Sequence, residues 1–366
     1  MSGAPLTLIV GTGLIGTSIA LAMTRSGREV ALEDRNPKAL AEAIERGAGR
    51  ALVHEDEPGL VVVAVPPASV PKVVAKQLTR YPNAIVTDVA SVKAAPLREI
   101  SSLVDSTDRF VGGHPMAGRE VSGPGAARAD LFEDRLWVVT PSGNNPPAAV
   151  DAVINLAARC GALVVTLPPE AHDRAVALTS HTPQLIASLL AAQMVNADPE
   201  DVAISGQGLR DATRLADSGP ELWTEILIGN AGQVAAVVSR MADQLSDAAN
   251  ALSTIQASSP TSADAGDAVL LIQDLLKRGN QGRAVLPDKH GGAAHRYESI
   301  PVVVDDKPGE LAKLFVAAGS AGINLEDVRI EHSVGRQRAV IELDVVPRAA
   351  QRLRETLIDG GWQIRG

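Results

Sequence analysis

The first 168 residues alternate short apolar runs with stretches of helical periodicity. The runs Leu6–Val10, Glu29–Glu33, Leu60–Val65, Ala84–Asp88, Leu136–Thr140 and Leu163–Leu167 predict strands. Several are almost unbroken Val, Ile and Leu, as in strands covered on both faces. Between the second and third runs, Asn36-Pro37 opens a helix that Gly47 closes: a capping residue, a proline in the first turn and a glycine past the end. Strands alternating with helices in this way predict a parallel, doubly wound α/β sheet. After Pro168-Pro169 the character changes. From Glu170 to about Arg278 the period is helical throughout, broken at Ser258–Asp267 by a small, polar stretch that predicts a surface loop. Helices this apolar need cover, and a second subunit would supply it. Arg278–His295, with four glycines, a proline and mixed charge, predicts a linker. Beyond it come strand Ser299–Val304, helix Gly309–Gly319, strands Glu326–His332 and Ala339–Val345, helix Pro347–Gly360 and strand Trp362–Arg365. That βαββαβ order is ferredoxin-like. The expected domains are therefore 1–168, 169–280 and 296–366, with 281–295 as linker.

A chain of 366 residues needs more than one core. Its net charge of −9 offers no basic face to track phosphates and argues against a nucleic-acid partner. One cysteine, Cys160, rules out an internal disulfide framework and suits a reducing compartment. Leu6–Val10 runs straight into glycines with no basic segment before it, so it predicts a strand and not a signal peptide. No window approaches the length of a membrane span, and the cytoplasm is the expected location. No metal site is expected.

Gly11-Thr12-Gly13-Leu14-Ile15-Gly16 follows the first predicted strand and opens a helix. The spacing gains weight from that strand, that helix and an acid at the end of strand two. Gly11 allows the tight turn, Gly13 lets backbone approach a pyrophosphate, and Gly16 lets helix pack on strand. The first amides of the helix, from Leu14 and Ile15 onward, then face the phosphates. The acid is Asp34 or Glu33. A carboxylate there accepts ribose hydroxyls and repels a 2′-phosphate, favouring NAD; Arg35 keeps NADP open. The chain thus predicts a dinucleotide-dependent dehydrogenase.

Two further segments are expected as loops at the carboxyl ends of strands, where open α/β sheets bind ligands. They are Asp88-Val-Ala-Ser91-Val-Lys93 and Gly112-Gly-His114-Pro-Met-Ala-Gly118-Arg-Glu120. A histidine between Gly-Gly and Pro is not apolar filler. Together with Gly11–Ser18, Thr179-Ser-His181-Thr-Pro183 and Asp211-Ala-Thr-Arg214-Leu-Ala-Asp-Ser-Gly-Pro-Glu-Leu-Trp223, these motifs resemble the prephenate/arogenate dehydrogenase family of tyrosine biosynthesis over roughly residues 5–290. Asp306-Lys-Pro-Gly309-Glu-Leu and Gly322-Ile-Asn324-Leu-Glu-Asp resemble an ACT regulatory domain, which some members carry.

The resemblance implies oxidative decarboxylation of a cyclohexadienol in an enzyme that is a homodimer. It implies that His114 takes the hydrogen bond of the ring hydroxyl, at a ring pKa suited to a base near neutral pH. Ser91 matches the serine that orients this histidine; from sequence alone it also reads as a helix cap before Ala94. Arg214 matches an arginine that forks onto a substrate carboxylate, and equally reads as a surface partner of Asp211. His181 matches a pocket histidine two residues before a helix-kinking proline. Many relatives place a second histidine after that proline, where this chain has Gln184. Glu120, Trp223 and Asp211 fall at or beside pocket positions, Trp223 also reading as core. The ACT resemblance implies an amino-acid effector, L-tyrosine, at Asp306, Gly309 and Asn324. Two rival readings remain. A β-hydroxyacid dehydrogenase needs a lysine on the helical domain, where Glu170–Gly279 has only Lys277. A nucleotide-sensing regulator would dispense with His114 and Arg214. Prephenate and arogenate differ only in a keto or ammonium group and are not separated by sequence.

Overall fold

The computed structural model describes residues 5–118, 123–259, 262–286, 297–332 and 337–365. The chain divides into two compact units, Met1–Ala242 and Asp243–Gly366. In the first, β1 (Thr7–Val10), α1 (Leu14–Arg25), β2 (Val30–Glu33), α2 (Pro37–Glu45), β3 (Arg50–Ala51), β4 (Leu60–Val63), α3 (Val70–Arg80) and β5 (Ile85–Asp88) build a parallel sheet of order β3-β2-β1-β4-β5. Asn36 caps α2 by accepting from the Lys38 amide at 3.1 Å, with Pro37 beside it. β1 and β4 are buried along their whole length. One face of the sheet (Ile9, Leu32, Val62) packs on Ile19 and Met23 of α1; the other (Leu8, Val61, Val63) packs on Val74 and Leu78 of α3. Unbroken apolar strands are what a sheet covered on both faces requires.

The remaining strands depart from the expected single sheet. After α4 (Ala94–Leu103) comes β6 (Gly112–Pro115), expected as a loop. It pairs antiparallel with β7 (Leu136–Thr140), which runs parallel to β8 (Leu163–Thr166) beyond α5 (Pro147–Arg159). These three strands form a sheet of their own. Gly-Gly-His-Pro carries none of the β-branched or aromatic signal of a strand. Its glycines are there for space: a Cβ on Gly112 would lie 2.4 Å from Thr140 Oγ1, and one on Gly113 would lie 2.9 Å from Asp88 O. Val86 also bridges to Phe110, just before β6.

The helical part begins with α6 (Pro169–Val176), a π-helical turn at Ala177–His181 and α7 (Thr182–Ala192). Pro183 has no N–H for the carbonyl one turn earlier, and the widened turn just before it absorbs that loss. Then follow α8 (Pro199–Ala203), α9 (Gln207–Thr213), a 3₁₀ turn at Arg214–Ala216, α10 (Pro220–Gly229) and α11 (Ala231–Ala257), in which the unit division falls. Pro169–Asn196 is long and apolar enough by composition to cross a membrane, against the sequence expectation. It carries His172, Asp173 and His181, all buried, along its length.

In the second unit α12 (Ala263–Ala284) runs through Gly279 and Gly282, further than the break at Arg278 predicts. Most of the expected linker lies outside the described residues. β9 (Glu298–Asp305), α13 (Glu310–Ser320), β10 (Asp327–His332), β11 (Arg338–Val345), α14 (Pro347–Asp359) and β12 (Gln363–Ile364) follow. Their antiparallel sheet has the order β10-β11-β9-β12. Ile300, Val302 and Val304 of β9 and Ile341 and Leu343 of β11 meet Leu314 of α13 and Leu353 and Leu357 of α14 in a separate core.

Candidate active site

The glycine turn lies at the carboxyl ends of β1 and β4, where the strand order reverses. Gly11 has φ +100°, and a Cβ there would sit 2.3 Å from Ala64 O. A Cβ on Gly16 would fall 1.9 Å from Gly11 O and 3.0 Å from the Ala64 side chain, so this residue sets how closely α1 approaches the strands. Gly13 differs. It caps α1, and a Cβ there would meet no atom within 4 Å. Its neighbours do not require a glycine, whereas a pyrophosphate resting on the turn would. Leu14 and Ile15, half-buried, begin the helix. Asp34 faces this turn: one oxygen accepts from the Thr12 amide at 2.6 Å and the Thr12 hydroxyl at 2.9 Å, the other from the Asn36 amide at 2.7 Å. Glu33 turns elsewhere and pairs with Arg80 at 2.9 Å. Of the two acids, Asp34 stands at the turn, with Arg35 exposed beside it. These residues fit a dinucleotide.

His114 sits on β6 and is buried. Its Nδ1 lies 2.8 Å from His172 Nε2, and His172 Nδ1 lies 2.8 Å from an Asp173 oxygen. Asp173 also accepts from the amides of Lys93 and Ala94, each at 2.9 Å, so it caps α4 from another element. Burial pushes the Asp173 carboxyl up, but the hydrogen bonds from His172, Ala94 and Lys93 outweigh it and hold it below the usual range. Lys93, fully buried, pairs with Asp88 and donates to Gly113 O at 2.8 Å. Burial above all, then the neighbouring His172, Lys93 and His181, hold His114 well below its ordinary 6.5. Its ring is uncharged at neutral pH.

His181, at the end of the π turn, is buried beside this group. The Asn230 amide donates to its Nδ1 at 3.1 Å and to Asp173 O at 2.8 Å. The edge of half-buried Trp223 meets the His181 ring, centroids 6.2 Å apart. Burial pushes His181 down to about 4, with Asp173 opposing and His172 adding to the shift.

Other expected residues make no hydrogen bond to these histidines among the described residues. Ser91 is half-buried in the turn after β5 and caps nothing; the cap expected of it is supplied by Asp173. Arg214 is exposed and does not pair with Asp211, which accepts from Gln207 at 2.9 Å. Neither Arg214 nor Asp211 joins the histidines by a hydrogen bond or ion pair among the described residues. Gln184 is buried; Glu120 lies outside the described residues. In the second unit, Gly309 has φ +90° at the start of α13, with open space where a Cβ would be. The Asp306 amide donates to Gln337 O at 3.0 Å, and exposed Asn324 donates to Glu326 at 2.8 Å.

Sequence reasoning missed His172, Asp173, Lys93 and Asn230 as members of this cluster. A signal for two of them existed. Pro169, His172, Asp173 and Val176 fall at i, i+3, i+4 and i+7, the buried face of α6. Polar residues on an apolar stripe need partners.

Comparison with known proteins bears on the whole arrangement. Residues 19–166 match the family model for the prephenate dehydrogenase nucleotide-binding domain, and residues 168–260 match that for its dimerization domain. The chain is 34% identical over 358 residues to a Streptomyces niveus protein named "Probable prephenate dehydrogenase NovF", covering 97% of this chain and 98% of that one. Among solved structures, Aquifex aeolicus prephenate dehydrogenase, crystallised with hydroxyphenyl propionate and NAD+, matches with TM-score 0.66 and 25% identity over 77% of this chain and 98% of its own. Synechocystis arogenate dehydrogenase matches with TM-score 0.63 and 26% identity over 76% of this chain and 98% of its own. On these family-model matches, this sequence similarity and the shared fold, the chain belongs to the prephenate dehydrogenase family.

Proposed function

We propose that the protein oxidatively decarboxylates prephenate to 4-hydroxyphenylpyruvate with NAD, in tyrosine biosynthesis. The observation that carries the proposal is His114, held neutral on β6 beside His172 and His181 in a chain that also has the open glycine turn. Gly11 to Gly16 and the first amides of α1 would hold the cofactor's pyrophosphate, and Asp34 its ribose hydroxyls. When bound, NAD would supply the acceptor for the hydride of the ring carbon that bears the hydroxyl. His114 accepts the hydroxyl's hydrogen bond and takes its proton as that C–O bond gains carbonyl character. Loss of CO₂ from the opposite ring carbon leaves the aromatic ring, and the proton returns to what is now a phenolic oxygen. Ser91 orients His114 and the hydroxyl. His181 and Trp223 line the ring pocket, joined by Glu120, and Arg214 forks onto a carboxylate with Asp211 beside it.

The homodimer belongs to the same proposal. Val195, Ile204 and Ile228 in the helical part are 79%, 85% and 71% exposed, apolar surface that a second copy would cover. Cytoplasmic work fits Cys160, which burial pushes up to about 12 and keeps a thiol. The last 70 or so residues are proposed as an ACT regulatory module binding L-tyrosine near Asp306, Gly309 and Asn324. Their βαββαβ order and the left-handed Gly309 at the start of α13 support that reading.

A second reading, NADP as oxidant, is favoured by exposed Arg35 beside Asp34, and arogenate as substrate by the likeness to the Synechocystis enzyme. Steady-state cofactor reduction with prephenate and arogenate, each against NAD and NADP, tests both. The expected result is the highest kcat/KM with prephenate and NAD. A higher value with NADP would make Arg35 the better guide, and no oxidation of either substrate would overturn the assignment.

A further inference from the structure

His114 can act as a base only through Nε2, because its Nδ1 is taken up by His172 at 2.8 Å. Which of the two nitrogens carries the proton is therefore decided further along the chain of contacts. Asp173 ends that chain. It is an acceptor on every side, fed by the amides of Lys93 and Ala94 as well as by His172 Nδ1. His172 must then carry its proton on Nδ1, and if neutral it presents a lone pair at Nε2. That lone pair can only accept, so His114 must carry its proton on Nδ1 and leave Nε2 bare.

The charges around the pair favour the neutral arrangement. Lys93 already places a buried cation against Gly113, the residue before His114, and Asp88 is its partner. Asp173 is held by two backbone amides before any histidine charge is needed. His181, facing the same group from the π turn, has its own Nδ1 occupied by Asn230 and adds no anion. Both imidazoles of the pair are buried, so a second positive charge there would lack solvent.

We infer that His172 and Asp173 are positioning residues that fix the tautomer of His114, with the proton on Nδ1 and the Nε2 lone pair presented to the substrate hydroxyl. The inference rests on the proposed reading of His114 as the base. The alternative, a cationic His172 between Asp173 and His114, would reverse the outcome: His114 Nδ1 would accept, and Nε2 would carry a proton and be useless as a base.

The test has two arms. In the full chain labelled with ¹⁵N-histidine, long-range ¹H–¹⁵N spectra at neutral pH read the tautomer directly, with His114→Asn identifying the His114 signals. The expected pattern is a protonated, pyrrole-like Nδ1 and an unprotonated, pyridine-like Nε2. A protonated His114 Nε2 overturns the inference, whatever the variants do. In the second arm, His172→Leu removes the acceptor and His172→Gln keeps one. His172→Leu should lower kcat roughly 10- to 10²-fold, at or below the full worth of a general base. KM should stay within about twofold, since ground-state binding is untouched. His172→Gln should recover most of the rate. Unchanged kcat and unchanged tautomer in a folded His172→Leu protein overturn the inference, as does equal loss in both variants. Should His172→Leu fail to fold, the tautomer of the unaltered chain decides. Should the unaltered chain oxidise neither prephenate nor arogenate, the functional reading fails, while the spectra still judge the relay.

Discussion

The glycines of the phosphate turn separate folding from binding one residue at a time. Gly16→Ala would drive a Cβ to 1.9 Å from Gly11 O, so it should destabilise the protein by roughly 3 kcal/mol or more. Gly13→Ala meets no protein atom and keeps an allowed φ of −72°. Its melting temperature should stay close to that of the parent, while NAD binding weakens roughly tenfold or more, about 1.4 kcal/mol. Calorimetric melting and NAD titration of both variants check this; equal effects of both on stability would remove the pyrophosphate reading of Gly13. His114→Asn should cut turnover by roughly 10²–10⁴ with NAD affinity intact, and near-normal turnover in a folded variant would sink its role as base. His181 makes a prediction about pH. Its folded value is pushed down to about 4 while the unfolded ring titrates near 6.5, so between those values the unfolded chain binds the extra proton. The neutral ring's stability is fully present above pH 6.5 and is lost progressively as pH falls toward 4. The groups facing it, Asp173, His172 and Asn230, stay in place in His181→Gln, so that variant should lose less melting temperature between pH 7 and 5 than the parent. Legibility at this scale followed locality. The glycine turn was readable because its strand, helix and acid lie close in sequence, and His114 because it stands in a motif that resembles a known family. His172 and Asp173 were not, because their partners, His114 and the Lys93–Ala94 amides, lie in distant parts of the chain.

At the scale of elements, burial pattern decided what could be read. β1 and β4 are continuous apolar runs and were found to within a residue or two at each end. β3 spans only Arg50–Ala51, and β6 is Gly-Gly-His-Pro, so neither has a period to detect. β6 is instead defined by what holds it. Lys93 reaches from the start of α4 to Gly113 O and pairs with Asp88 at the end of β5. This buried pair ties β5, α4 and β6 together at the strand that carries His114. Lys93→Met would leave the Asp88 carboxylate buried without its counter-charge, which should cost about 3–5 kcal/mol. Adding Asp88→Asn removes the stranded charge and keeps an acceptor for the Ala90 amide, so the double variant should regain much of that loss. Urea unfolding of the single and double variants measures it. A double variant no more stable than Lys93→Met would mean the pair's charge is not what joins these elements. The π turn before Pro183 was foreseen as a kink, because a missing N–H leaves a physical mark in any sequence. The length of α12 was not, because Gly279 and Gly282 look like breaks while helical context carries the chain through them.

For the whole molecule, apolar surface and the C-terminal unit each make a claim. Ile228 lies at the exposed end of α10, and Ile204 and Val195 are similarly bare. If a second copy covers them, light scattering should give a dimer, and Ile228→Glu should shift it toward monomer. A stable, active monomer of the unaltered chain would leave that surface unexplained by self-association. The second claim concerns control. Residues 297–332 and 337–365 have their own core and carry no phosphate turn and no buried histidine cluster, so they contribute nothing evident to hydride transfer. The two family models end at residue 260, before this unit's sheet begins. A module added to a working enzyme changes rate only by binding something that prefers one of its arrangements. Gly309, with positive φ and open space above it, lets a ligand approach the first amides of α13, and Asn324 is exposed with a side-chain amide to offer. L-tyrosine should therefore inhibit the full chain. Asn324→Ala, at an exposed position with little folding consequence, should raise the half-inhibiting concentration several-fold, about 1 kcal/mol of lost binding, without altering kcat or KM in tyrosine's absence. Inhibition that is purely competitive with prephenate and indifferent to Asn324→Ala would place tyrosine in the ring pocket beside His181 as a product-like ligand. The C-terminal sheet would then have to be explained as a brace.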